Sequence, residues 1–324
     1  MVIIRDITDV GKATFPRVAT AIGTFDGVHT GHQWIIRKVV ERSRLVGGTG
    51  AVFTFSNHPL EVLDPARAPR LITPSPIKER ILGSLGVELV IAIPFTHALA
   101  EMEAEAFVAD ILWKKLHVEF LCMGFDFGFG RGRRGTPEFL RRMASDLGFE
   151  VEVVPPVAVD GTVVKSGLIR DLLQRGKVSE AARYLSRPYA ITGEIVPGAG
   201  RGKGLGFSTA NVAPSQHFLI PDGVYAGRAA IGGREFDAAI NVGTAPTFGG
   251  RERRVETHLL DIQEDRAPVY GQAMVVAFWE RIRDEVRFAS PEELKAQVAR
   301  DIRRAREILS QAGMAHQADW ALQE

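Results

Sequence analysis

Short apolar runs alternate along the first half of the chain with stretches whose apolar residues return every three or four positions. The runs at 18–22, 51–55, 87–93, 118–123 and 149–154 have strand length, whereas 34–45, 77–85, 104–116 and 136–147 carry a helical period. This alternation predicts a parallel sheet covered by helices, with ligands gathered at the carboxyl ends of the strands. Two more helical stretches, 168–175 and 179–185, lead to Arg187-Pro188-Tyr189, where the pattern changes. Beyond it, β-rich runs at 190–196, 223–230, 234–242, 254–262 and 272–279, separated by Gly and Pro, predict a small antiparallel barrel. A closing helix is expected over 291–309, with Leu294, Val298, Ile302, Ala305, Ile308 and Leu309 on one face and Pro291 at its start. The fold class expected is α/β, with a parallel-sheet domain over 1–186 and a small antiparallel β-barrel with a closing helix over 187–324. The tail from Gly313 is expected to be loose.

A chain of 324 residues can give each domain its own core, and 45% hydrophobic with 24% charged residues is the balance of a soluble globular protein. Forty basic against 39 acidic residues leave a formal charge of +1, so no overall field draws the chain to nucleic acid or to an anionic membrane. Any anionic ligand has to be bound locally. No stretch approaches the roughly 18 consecutive apolar residues of a membrane span. Cys122, the one cysteine, lies in the apolar run 118–123 and reads as core filling. A cytoplasmic enzyme is expected.

The chemistry concentrates where the first of these strands meets the first of these helices. Gly23-Thr-Phe-Asp-Gly-Val-His29-Thr-Gly-His32 places three glycines, Gly23, Gly27 and Gly31, in the turn and two histidines at the start of the helix. The glycines are expected to admit positive φ and close approach of a ligand. Free N–H donors, the helix dipole and two imidazoles make a place for phosphate, suited to in-line transfer of a nucleotidyl group. A zinc site is disfavoured because no cysteine or carboxylate pattern completes the two histidines.

Two loops that follow strands, Phe25 to His32 and Gly124 to Arg134, are expected on one edge, and Ser56-Asn57-His58-Pro59 is a loop at what would be a strand's C-terminal end. The stretch from Gly124 to Gly135 combines Phe125, Phe127 and Phe129 with glycines and arginines. Those aromatics can stack on a planar ring and the arginines can hold phosphates. In the second half, Gly198-Ala-Gly-Arg-Gly-Lys203-Gly-Leu-Gly206 is suited to wrapping phosphates, although it lacks the Gly-Lys-Ser/Thr of a P-loop. Thr209 and Asn211 follow, with neutral oxygens that suit Mg²⁺. Val255-Glu-Thr-His-Leu-Leu-Asp261 alternates like a strand, putting Glu256 and His258 on one face, where Glu256 could take a proton from an attacking alcohol.

With these motifs in this order, the chain resembles the bacterial bifunctional riboflavin kinase/FAD synthetase family over nearly its whole length. The resemblance implies an N-terminal Rossmann-like nucleotidyltransferase domain joined to a riboflavin kinase barrel. It rests on Gly23 to His32, on Phe55-Ser-Asn-His58-Pro59, on Gly124-Phe-Asp126-Phe-Gly-Phe-Gly-Arg131, on Ser208-Thr209-Ala-Asn211 and on Glu256. The implied catalytic groups are Glu256, His29 and His32. Ligand contacts are implied at Gly23, Phe25, Asp26, Gly31, His58, Asp126, Ser166 and Arg170 in the first domain, and at Gly198, Lys203, Gly206, Thr209 and Asn211 in the second. Thr209 and Asn211 are also the implied Mg²⁺ ligands. The implied partners are flavins and ATP, with no nucleic acid and no membrane, and self-association is left open.

The departures fall mostly around the sites. Lys165-Ser166-Gly167-Leu-Ile-Arg170 stands where the family usually has Ser-Ser-Thr-x-Ile-Arg, which removes two hydroxyls and adds a cation. Ser208 replaces a proline, Gly204 a threonine, and Ala245 an arginine. These keep open a diverged paralogue, either one with kinase activity only or one that adenylylates another phosphorylated acceptor. A flavin- or nucleotide-binding protein without turnover also stays open.

Overall fold

The structure, a computed structural model, describes residues 1–197, 209–215, 217–247, 250–262 and 269–311, with the backbone alone at 245–247 and 250–252. Two compact units divide it, Met1–Ser166 and Gly167–Glu324.

In the first unit the strands are β1 (Val2–Ile4), β2 (Val18–Ile22), β3 (Thr49–Phe55), β4 (Leu89–Ile93), β5 (Val118–Gly124) and β6 (Glu150–Val154). They form one parallel sheet in the order β1-β4-β3-β2-β5-β6. Helix α1 (Thr30–Val46) joins β2 to β3. It is followed by α2 (Leu60–Leu63), α3 (Ser75–Ser84), α4 (His97–Ala100), α5 (Ala104–Ala106) and α6 (Pro137–Leu147). Strands β2, β3 and β4 are buried along their whole length, which is why they read as unbroken apolar runs. At the edge, β6 is buried only at Val154, and its Glu150 and Glu152 pair with Arg42 and Lys38 of α1. The helix expected over 104–116 forms, but beyond α5 it is π-wound over Phe107–Lys115, closing with Leu116 N–H on the Ile111 carbonyl. Cys122 is fully buried, and burial pushes its thiol up to about 12, in keeping with a core role.

The sheet order has one consequence for function. From β2 the chain steps to β3 on one side and later returns to β5 on the other, so β2 and β5 are neighbours whose following connections diverge. The turn after β2 and the loop after β5 therefore share a crevice at the carboxyl edge. A short hairpin, β7 (Ala158–Val159) and β8 (Thr162–Val163), precedes α7 (Ser166–Gln174), whose first residue ends the first unit.

The second unit holds the rest of α7, then α8 (Val178–Leu185), and a closed antiparallel barrel. Its strands are β9 (Tyr189–Val196), β10 (Thr209–Pro214), β11 (Gly223–Ile231), β12 (Arg234–Thr247), β13 (Gly250–Leu259) and β14 (Ala273–Arg283), in the order β10-β13-β12-β11-β14-β9 and closing through β9 with β10. Strand β10 was not expected from the sequence. It carries Thr209 and Asn211 and is short, with Pro214 at its end. Helices α7 and α8, expected with the first domain, fall with the barrel unit apart from Ser166. The reason is visible in α8, whose buried Val178, Ala181 and Leu185 make an apolar face and which packs on β9 and β14.

Helix α9 (Pro291–Gln311) closes the barrel over β11, β12 and β14. Ala305, Ile308 and Leu309 are buried against Ala226, Ala239 and Leu260, as the periodicity predicts, while Leu294, Val298 and Ile302 are only half-buried. A charged residue does the rest. Asp301 is buried and accepts from Arg283 of β14 at 3.0 Å (Nε) and 2.7 Å (Nη2), and from Gln297 at 2.8 Å. The expected tail from Gly313 lies outside the described residues.

Asp301→Ala leaves Arg283 half-covered without its carboxylate and is expected to cost about 2–3 kcal/mol, somewhat less than a fully buried broken pair. A urea titration of the full chain reads this as a lower midpoint, and an unchanged midpoint would exclude the pair as the anchor of α9.

Two candidate active sites

The turn between β2 and α1 is fixed by backbone conformation and packing together. Phe25, Gly27 and Val28 hold φ of 49°, 89° and 40°. Of the three glycines expected to supply positive φ, only Gly27 does so. Gly23 and Gly31 serve close approach instead. A Cβ on Gly23 would lie 3.0 Å from the Phe25 ring, and one on Gly31 would lie 3.2 Å from the His29 ring. Phe25 is 1% exposed and meets His32 edge-on at 5.2 Å between ring centroids, so its side chain braces the turn from beneath.

His29 caps α1, its Nδ1 accepting from the His32 backbone N–H at 3.3 Å, which leaves Nε2–H as its ring donor. The two imidazoles stack with centroids 3.6 Å apart and 18° between planes. Two imidazoles at the first turn of a helix, beside backbone N–H groups, suit an anion.

Asp26 is buried, and Oδ1 accepts from the N–H groups of Ile72 (2.8 Å) and Thr73 (3.2 Å), ahead of α3. The Asp26 carbonyl accepts from Ser166 Oγ at 2.8 Å, which ties the end of the unit to the turn. Arg170 lies farther along α7, in the second unit.

The loop after β3 is equally constrained. Asn57 closes a reciprocal pair with Phe95, donating to its carbonyl at 3.2 Å and accepting from its N–H at 2.7 Å. His58 Nδ1 accepts from Leu60 N–H at 3.1 Å, which orients the ring at the start of α2.

Beneath both loops lies Lys78 of α3, 3% exposed. Its ammonium donates to the Phe55 carbonyl (2.7 Å), Thr54 Oγ1 (3.2 Å) and the Thr24 carbonyl (3.3 Å). Burial lowers its pKa to about 8, with the charges of Asp26 and Glu79 opposing that shift. Sequence reasoning missed Lys78. The signal was a lysine between Ile77 and Ile81 on the apolar face of a predicted helix.

The aromatic loop differs from expectation. Phe129 is core, packed with Phe107 and Phe139, and Phe127 stacks on Phe129 at 6.4 Å. Of the three aromatics offered as a stacking surface, Phe125 alone is exposed, because the others complete the apolar cluster beneath the sheet edge. The arginines are engaged too. Arg131 pairs with Glu101 and Glu103, and Arg133 donates to the Asp126 carbonyl at 2.9 Å. Asp126 itself is exposed.

In the barrel, strand register sorts the motif residues. Asn211 of β10 lies directly opposite Glu256 of β13, and Glu256 opposite Asn241 of β12. In the adjoining row of the same face, Thr209 is opposite His258. The intervening Val212, Val255, Thr257 and Ile240 are 0–1% exposed and fill the interior, so the polar rows lie on the outer face, where Glu256 is exposed. Asn241 was not picked out from the sequence, because only the pairing of β12 with β13 brings it beside Glu256. Asn211 is 8% exposed, and its Oδ1 is buried with no hydrogen-bond partner among the described residues. An orphan oxygen beside a threonine hydroxyl and a carboxylate makes an all-oxygen donor set, which fits Mg²⁺. Among the described residues there is no group of three or more His, Cys, Asp or Glu suited to a metal, and no helix long and apolar enough to cross a membrane. Gly198, Lys203 and Gly206 lie outside the described residues.

A parallel sheet with two histidines in the turn at its switch point, and a closed barrel with a carboxylate on its outer face, suit a two-unit nucleotide-handling enzyme. The FAD synthetase family model matches residues 12–168, and the riboflavin kinase family model matches 185–309. The bifunctional riboflavin kinase/FMN adenylyltransferase of Escherichia coli K12 is 35% identical over 95% of this chain and 98% of its own length. That of Bacillus subtilis is 33% identical over 87% and 89%. A crystal structure from Streptococcus pneumoniae, described as a macrolide-efflux protein, is 30% identical with a TM-score of 0.81, covering 94% of this chain and 98% of that one. The chain belongs to the bifunctional riboflavin kinase/FMN adenylyltransferase family.

Asp26→Ala strands two buried backbone donors and is expected to lower the stability of the first unit by about 2–3 kcal/mol. Asp26→Asn, which keeps an acceptor oxygen, is expected to cost clearly less; equal urea midpoints for the two variants would show that the acceptor does not hold the turn.

Proposed function

We propose that the second unit phosphorylates riboflavin with ATP to give FMN, and that the first unit transfers AMP from ATP to FMN, giving FAD and pyrophosphate. The observation that carries this reading is the placement of two separate sets of phosphate-handling groups, one in each unit: stacked His29 and His32 at the start of α1, and Glu256 opposite Asn211 across β10 and β13.

In the kinase reaction Glu256 takes the proton of the ribityl hydroxyl as that oxygen attacks the γ-phosphorus, and ADP leaves. Thr209 and Asn211 would hold Mg²⁺, which neutralises charge on the phosphates when bound. In the adenylyl reaction a phosphate oxygen of FMN attacks the α-phosphorus in line. His29 and His32 donate to the triphosphate as pyrophosphate departs, and the backbone N–H groups at the helix start share the charge. Gly23 and Gly31 leave room for the rings that shape this turn, His58 and Asp126 border the flavin side, and Ser166 holds the turn through the Asp26 carbonyl. Gly198, Lys203 and Gly206, outside the described residues, are the groups offered to the ATP phosphates of the kinase. The reactions run in the cytoplasm on small molecules.

Lys165 and Gly167 favour one alternative, in which the kinase is retained and the first unit has a different phosphorylated acceptor. Chromatography of products from riboflavin, ATP and Mg²⁺, repeated from FMN, separates the two: FMN followed by FAD supports the proposal, and FMN accumulating in both assays supports the alternative.

Glu256→Gln is expected to slow FMN formation at least about 100-fold while FAD formation from added FMN continues. Loss of both activities would refute the division of labour. His32→Ala is expected to do the reverse, lowering FAD formation about 100-fold with FMN formation intact, and a full rate of FAD synthesis would exclude its phosphate role.

A further inference from the structure

Lys78 is a buried charge that the proposed chemistry does not use. Among the described residues every hydrogen bond of its ammonium goes to a neutral oxygen, and these oxygens belong to two functional segments. Thr24 is in the nucleotide turn. Phe55 is the last residue of β3, at the head of the loop 56–59. Thr54 links them again, its Oγ1 donating to the Thr24 carbonyl at 3.0 Å. With three acceptors and three N–H bonds, the protonated amine satisfies the whole set and lets the Thr54 hydroxyl donate to the Thr24 carbonyl, whereas a neutral amine, with two N–H bonds and a lone pair, can hold Thr54 only by accepting its proton, which takes that hydroxyl away from the Thr24 carbonyl.

We propose that Lys78 is a positioning residue for adenylyl transfer, its ammonium holding the nucleotide turn and the loop after β3 at one fixed spacing. This rests on the reading of the first unit as the adenylyl-transferring one. The in-line reaction needs the triphosphate at the turn and the acceptor at the loop to meet in one geometry, and displacement of about 1 Å can cost on the order of 100-fold in rate.

The charges around Lys78 decide how it responds to pH. Asp26, on the turn, and Glu79, the next residue of α3, face it. Glu79 is held by Arg5, beside β1, in two bonds of 2.7 and 2.8 Å. Burial outweighs the two carboxylates, and the amine releases its proton at about 8 in the folded chain against 10.5 when solvated. Between those values the unfolded chain binds the extra proton, so Lys78 makes stability rise with pH. Positioning weakens in the same window, because the Thr54 hydroxyl turns to the neutral amine and its hydrogen bond to the Thr24 carbonyl in the turn is lost. Activity and stability therefore move in opposite directions, which a purely structural lysine would not produce.

The test measures FAD formation from FMN, ATP and Mg²⁺ by the full chain from about pH 7 to about pH 9.5, with FMN formation from riboflavin and thermal unfolding recorded at each pH. The wild type is expected to lose FAD formation through a limb near pH 8 that the kinase does not share, with no fall in the unfolding midpoint attributable to that limb. Lys78→Met is expected to fold, to keep the kinase, to make FAD about 10- to 100-fold more slowly, and to lose the limb. A Lys78→Met chain with wild-type rate and pH profile overturns the proposal, as does a limb that persists in it. If Lys78→Met does not fold, the wild-type profile decides by itself: a flat FAD rate across pH 8, or a limb that tracks unfolding or the kinase, overturns it. Absence of FAD from the wild type at every pH, with FMN still formed, overturns the adenylyl reading of the first unit and this proposal with it.

Discussion

Phe25 and Val28 hold left-handed backbone conformations that L side chains rarely adopt, at a cost on the order of 1 kcal/mol or more each. The turn keeps them because its surroundings leave no alternative. Both side chains are buried, Asp26 is pinned to the residues before α3, and the Thr24 carbonyl receives hydrogen bonds from Thr54 and Lys78. Relaxing any one of these residues would expose apolar surface or strand a buried polar group. From that constraint follow the cap at His29, the stacking of His29 on His32, and the direction in which α1 leaves the sheet. The proposed phosphate site is thus a product of strain held in place by packing.

The barrel solves a different problem. A small closed barrel has to fill its interior with side chains, and here Tyr189, Tyr225 and Phe278 pack against one another within it. Polar residues are thereby directed to the outer face, and strand pairing arranges them in rows. Asn211, Glu256 and Asn241 come from three separate stretches of chain and meet because β10, β13 and β12 are neighbours in that order. In that row the Asn211 side-chain oxygen is buried with no hydrogen-bond partner among the described residues, a cost that ligand or metal binding would offset.

Composition and periodicity were enough for the architecture. Unbroken apolar runs marked the central parallel strands because both faces of that sheet are covered, and the shift to short runs between Gly and Pro marked the barrel. The glycine and histidine pattern located the turn after β2, because closely spaced glycines between an apolar run and a helical period mark a strand-to-helix connection. Strand β10 carries no such signature, because it is short and follows a glycine-rich stretch of sequence.

What the tertiary structure decided was the work each residue does. The sequence offers three glycines for positive φ, yet two of them are needed for the space that neighbouring rings occupy. It offers three phenylalanines as a stacking surface, yet two serve the core or lean upon it, since burial depends on what the loop folds against. It shows Lys78 only as a cation in an amphipathic helix. That its ammonium ends among Thr24, Thr54 and Phe55 depends on the packing of α3 beneath two strand ends, and hydrophobic periodicity carries no information about where a buried charge finds its oxygens.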